Sequence, residues 1–102
     1  MRDRGNMAAP RSSTEQPIRL LYADDHPAVR TALRTLLERI DDIDLVGEAE
    51  DGEMALALAR VLRPDLVMLD IDMPGMSGPE AAAAIKAQLP GTKILYFTGD
   101  RR

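Results

Sequence analysis

The chain has 102 residues, enough for one domain with one core, and its 45% apolar content excludes a wholly disordered protein. With 3% aromatic residues the core must be aliphatic, while the absence of cysteine and a single histidine exclude a disulfide framework, a thiol nucleophile and a multi-histidine zinc site. The net charge is −4, but residues 18–100 carry eight basic and fifteen acidic side chains, a balance that argues against direct nucleic-acid binding and suits a cation.

Residues 1–17, MRDRGNMAAPRSSTEQP, are polar, hold two prolines and contain no stretch able to serve as a signal peptide or membrane span. They read as a disordered leader before a single domain at 18–102, with Met7 as a second possible start. A chain without cysteine or membrane segment fits the cytoplasm.

From Ile18 onward strands and helices alternate. IRLLYA (18–23) is a short apolar run ended by Asp24-Asp25, the signature of a strand. HPAVRTALRTLLERI follows, with Val29, Ala32, Leu33, Leu36, Leu37 and Ile40 at helical spacing and Pro27 at a first helical position, where its missing N–H costs nothing. DLVGEA (44–49) is a second strand. A second helix starts near Asp51-Gly52, runs through Ala55, Leu58, Ala59 and Leu62, and is ended by Pro64. DLVMLD (65–70) is apolar without alternation, as burial on both faces requires. Pro79 opens a third helix through Ala82, Ile85 and Leu89, and KILYF (93–97) is a fourth strand leading to Thr98-Gly99-Asp100.

Strands and helices alternating at about 25-residue spacing imply a parallel sheet with right-handed crossovers. All strand carboxyl ends then share one edge. If the second strand lies outside the first, the first and third are neighbours, and the chain reverses direction of winding between them. At that switch point Asp24, Asp25, Asp70 and the hydroxyl of Thr98 converge. Three carboxylates so close need a cation or protons, and repulsion should raise at least one of their pKa values. Oxygen ligands without thiolate point to Mg²⁺ or Mn²⁺. Such a metal beside a hydroxyl is a phosphoryl-transfer arrangement, with Asp70 as the nucleophile.

YADDHPAVR, VGEAEDGEMAL, PDLVMLDIDMPGMSG and KILYFTGD resemble the receiver domain of bacterial two-component response regulators, of the kind that precedes a C-terminal helix-turn-helix domain. The resemblance covers residues 18–100. It implies a flavodoxin-like (CheY-like) doubly wound sheet of order 2-1-3-4 and a role as phosphoacceptor rather than enzyme. By position, Asp70 matches the phosphoacceptor, Asp25 the direct metal ligand and Asp24 its acidic companion. Asp72 matches the residue whose backbone carbonyl ligates the metal, and Thr98 the hydroxyl that senses phosphorylation. The implied cofactor is Mg²⁺ and the implied partner a sensor histidine kinase. The family pattern continues past Thr98 with a fourth helix, a lysine-bearing fifth strand and a fifth helix, so the sequence is expected to be a C-terminally truncated receiver. Its fourth strand, apolar on both faces, is then an edge available for self-association.

Competing readings are simpler. Asp24-Asp25 can serve as a helix cap and Asp70 as a turn residue. His26 reads as a solvated first-turn histidine rather than a phosphohistidine. Asp70-Ile71-Asp72 also matches the D-x-D of haloacid-dehalogenase-type phosphatases, although that motif belongs on a first strand and Pro74 stands where Thr or Val is wanted. A phosphorylation-incompetent fragment acting only by protein–protein contact is the remaining alternative.

Overall fold

The computed structural model describes residues 16–98. Strands β1 (Ile18–Ala23), β2 (Ile43–Ala49), β3 (Leu66–Asp70) and β4 (Lys93–Phe97) alternate with helices α1 (Pro27–Leu37), α2 (Gly52–Leu62) and α3 (Gly78–Gln88). Of the expected leader only Gln16 and Pro17 fall within the described residues, and Gly99 to Arg102 also lie outside them.

Local chemistry sets the helix ends. Pro27 sits at the start of α1. The Asp51 carboxylate accepts the Met54 N–H at 2.8 Å and caps α2. Ser77 and Glu80 form a reciprocal capping box on α3: each side chain accepts the other's backbone N–H, at 3.2 and 2.9 Å. Arg63 ends α2 in the left-handed region (φ 49°) just before Pro64. Its carbonyl accepts the Arg19 guanidinium at 2.9 Å, a contact that helps offset the strain of roughly 1–3 kcal/mol.

All strand pairs are parallel, as the alternation of apolar runs predicts, and the order is β2-β1-β3-β4, as the resemblance to receivers implies. Ala23 lies opposite both Ala49 and Leu69, and Asp70 lies opposite Phe97. The residues that follow β1, β3 and β4 therefore emerge on one edge.

The main core lies between the sheet and the pair α2–α3, where Leu21, Ala23, Val67 and Leu69 meet Ala55, Ala59, Ala81, Ala82 and Ile85. Small helix residues let these helices approach the strands closely. On the opposite face Leu20 and Tyr22 are buried, and the Tyr22 ring packs at a tilt against Phe97 with centroids 5.6 Å apart.

Helix α1 departs from its apolar pattern. Of its residues only Leu37 is buried, while Val29 and Leu36 are exposed, and so is Ile40 just beyond its end. The helix stops before Ile40 because Arg39 and Ile40 donate to the carbonyls of Leu36 and Leu37, a tighter turn that takes Ile40 off the helical face. Arg34 Nε reaches Glu48 on β2 at 3.1 Å and holds the helix over that strand. Much of the stripe that periodicity assigns to the core is therefore left uncovered among the described residues.

Candidate functional site

Asp24 follows β1 directly, and its N–H extends the β1–β2 ladder by donating to Ala49 O at 3.0 Å. Its carboxylate is only 1% exposed. Oδ2 accepts the Tyr22 hydroxyl at 3.0 Å, and Oδ1 accepts the backbone N–H of His26 at 2.9 Å. The His26 Nδ1 lies 3.1 Å from Asp24 Oδ1 and 2.9 Å from Asp25 Oδ1. Arg30 Nη1 donates to the Asp24 carbonyl at 2.7 Å and ties the loop to α1.

Asp70 ends β3 fully buried, and its Oδ1 accepts the Asp72 N–H at 3.2 Å. The loop beyond is closed by Ile71 N–H on Phe97 O at 2.9 Å and Gly78 N–H on Ile71 O at 3.1 Å. Gly75 turns this loop at φ +72°, a conformation suited to glycine. Thr98 follows the residue opposite Asp70, so it stands at the same edge.

One ligand atom each from Asp24, Asp25, His26 and Asp70 lies within 4.8 Å of the others. Trans ligands on an ion with 2.1 Å bonds are about 4.2 Å apart, so a closure of under an ångström lets these groups share one small cation. Three carboxylates and one imidazole form a donor set that Mg²⁺ or Mn²⁺ accepts. The residues fit such an ion.

Repulsion does not govern Asp24. Burial works against its charge, but the His26 N–H and ring, the Tyr22 hydroxyl and Asp70 more than offset this and hold its carboxyl below the ordinary range. Burial first, and then the Asp24 carboxylate, push the Tyr22 phenol up, so it remains a neutral donor. Because the folded pKa of Asp24 is depressed, its stabilisation is present above the unfolded value and is lost as pH falls through the folded one. Tyr22→Phe should cost about 1–2 kcal/mol at neutral pH by leaving a buried carboxylate oxygen short of a donor. That deficit should shrink on acidification, which urea unfolding at neutral and acid pH will read.

The sequence also matches the model of the response regulator receiver domain over residues 20–102. The chain belongs to the response regulator receiver family. The nitrate/nitrite response regulator NarL of Escherichia coli K12 is 40% identical over 86 residues, covering 84% of this chain and 40% of NarL. Protein-glutamate methylesterase/protein-glutamine glutaminase 3 of Myxococcus xanthus is 46% identical over 78 residues, covering 76% of this chain and 22% of that protein. The crystal structure of a LuxR-family two-component response regulator from Aurantimonas sp. SI85-9A1 superposes with a TM-score of 0.78 at 37% identity, covering 84% of this chain and 61% of that one. This receiver thus spans about two fifths of the length of NarL.

The sheet order and the CheY-like expectation agree with these relatives. The phosphatase reading falls, since the D-x-D follows the third strand of a receiver rather than a first strand. Two residues of the site escaped the sequence reading. His26, read as solvated, turns its ring onto both carboxylates with its side chain 39% exposed. Tyr22, which looked like one more apolar strand residue, supplies a buried hydroxyl to Asp24.

Proposed function

We propose that Asp70 of this receiver accepts a phosphoryl group, with Asp24, Asp25, Asp70 itself and the backbone carbonyl of Asp72 holding Mg²⁺. The observation that carries this reading is the Asp70 carboxylate, buried at the end of β3 within the cluster formed by Asp24, Asp25 and His26. Receiver domains of this family bind Mg²⁺ through an acidic pocket and interact with histidine kinases. The donor is inferred to be the phosphohistidine of a sensor kinase in the cytoplasm. No helix among the described residues is long and apolar enough to cross a membrane. The resemblance of its motifs to receivers that precede a helix-turn-helix domain supports transcription regulation as the output.

In the transfer an Asp70 carboxylate oxygen forms a bond to phosphorus. The phosphorus–nitrogen or phosphorus–oxygen bond to the donor breaks, and its electron pair leaves with the donor. The product is an acyl phosphate on this chain, not a released product, so the domain acts as a signalling element rather than an enzyme. Asp72 N–H orients the attacking carboxylate. Mg²⁺, when bound, supplies positive charge against the carboxylates and the incoming phosphoryl oxygens. Thr98, at the same edge, would donate its hydroxyl to the transferred group. Lys86 Nζ is engaged by the carbonyls of Pro90 and Thr92, and Lys93 begins β4 at the far end of the sheet, so neither lysine assists. Incubation with acetyl phosphate and Mg²⁺ should add one phosphoryl mass to the intact chain, and chelation should prevent it. Equal uptake with chelator, or none with Mg²⁺, would contradict the reading.

Self-association through β4 is the second partner reading. Among the described residues β4 pairs with β3 alone, and Leu95 and Tyr96 are 50% and 45% exposed. Its edge carries no proline or inward charge to block pairing. A polypeptide of these 102 residues should sediment as an oligomer at micromolar concentration, and Leu95→Lys should shift it toward monomer. A monomer indifferent to that substitution would refute the idea.

A further inference from the structure

We infer that Arg30 is a positioning residue for phosphoryl transfer, because it alone holds both ends of the segment Asp24 to His26 against α1; the inference rests on the acceptor role of Asp70 proposed above. The Arg30 guanidinium donates from Nη1 to the Asp24 carbonyl at 2.7 Å. Its backbone N–H donates to the His26 carbonyl at 2.9 Å. One residue of α1 thus takes up the carbonyls at the start and the finish of the three residues that follow β1.

The Asp24 carbonyl belongs to the planar peptide that joins Asp24 to Asp25. On its strand side Asp24 is fixed by its own N–H, which donates to Ala49 O at 3.0 Å. With the carbonyl held as well, the peptide leading into Asp25 has one orientation, and with it the direction in which the Asp25 side chain leaves the backbone. That side chain is 27% exposed, against 1% for Asp24 and 0% for Asp70, so packing constrains it least and the backbone matters most for its aim. A bond from a charged donor suits this task, since it is shorter and stronger than one between neutral groups.

The guanidinium is itself anchored from β2. Glu48 Oε1 lies 3.9 Å from Arg30 Nε, and Glu48 Oε2 lies 3.1 Å from Arg34 Nε. Two arginines one helical turn apart therefore share one carboxylate. From there Arg30 reaches on to the Asp24 carbonyl, whereas Arg34 reaches Thr31 Oγ1 at 3.4 Å. Both fasten α1 to β2, which makes Arg34 the internal control for a merely structural role.

The test follows phosphoryl uptake from acetyl phosphate and Mg²⁺ by intact mass in the full chain and in Arg30→Gln, Arg30→Lys and Arg34→Gln, at a temperature where circular dichroism shows each folded. Groups that orient a site from behind typically cost about 10–100-fold when removed, so Arg30→Gln should slow uptake about tenfold or more. Arg30→Lys keeps a charged donor for the carbonyl and should return the rate to within roughly threefold of wild type. Arg34→Gln should keep the wild-type rate while lowering the urea midpoint. A wild-type rate in Arg30→Gln would overturn the inference and leave Asp70 as acceptor. Equal slowing in Arg30→Gln and Arg34→Gln would also overturn it, since loosening of α1 would then be the cause. A wild type that takes up no phosphoryl group would instead overturn the acceptor role, and the inference with it.

Discussion

Gly78→Ala should cost the chain about 3 kcal/mol or more, a large share of a typical stability of about 5–15 kcal/mol. A Cβ at residue 78 collides with the Asp70 carbonyl oxygen and meets Ile71 Cα at 3.0 Å. Both are backbone atoms, so no flexible side chain can yield, and either the end of β3 or the start of α3 has to move. The same residue donates its N–H to Ile71 O, closing the loop behind Asp70. The substitution should therefore disturb the site as well as the fold. Gly91→Ala is the internal control, since a Cβ there meets nothing within 4 Å. Urea midpoints of the two variants should differ widely. A Gly78→Ala chain as stable as Gly91→Ala would show that α3 is not pressed against Asp70.

Asp25→Asn should make the metal-free chain more stable, by about 1 kcal/mol, and abolish its response to Mg²⁺. Asp25 is the most accessible of the three carboxylates, with a side chain 27% exposed, yet it shares the cluster with the buried Asp24 and Asp70. Neutralising it relieves like-charge repulsion, and the asparagine oxygen still accepts from His26. For a dissociation constant on the order of 1 mM, 10 mM Mg²⁺ should stabilise the wild type by roughly 1.4 kcal/mol and the variant by nothing measurable. Thermal unfolding with and without Mg²⁺ reads both effects. A wild type indifferent to Mg²⁺ would count against the cation site.

The elements were legible because apolar runs bounded by acids and prolines leave little choice: 65–70 reads as a buried strand, and Pro64 and Pro79 mark the flanking helices, whereas the order of the strands follows only from the resemblance to receivers. The carboxylates were legible for the same reason, since parallel strands deliver their ends to one edge. Side-chain direction was not. Nothing in the sequence aims the His26 ring at Asp24 and Asp25, because that depends on a backbone bond from His26 N–H to Asp24. Tyr22 and Leu20 share a face in β1 and look equivalent until the tyrosine hydroxyl is seen to reach Asp24 two residues on. The stripe on α1 misled because periodicity reports which face is apolar, not whether anything covers it. Leu36 is 58% exposed on that face.

Borohydride trapping after incubation with acetyl phosphate and Mg²⁺, followed by peptide mass spectrometry, tests the central claim most directly. An acyl phosphate is reduced by borohydride to the alcohol, which marks the carboxylate that held it. The mark should fall on Asp70 alone, and Asp70→Asn should carry none. A mark on Asp24, Asp25 or Asp72, phosphate retained on His26, or undiminished uptake in Asp70→Asn would contradict the assignment of Asp70 as the acceptor.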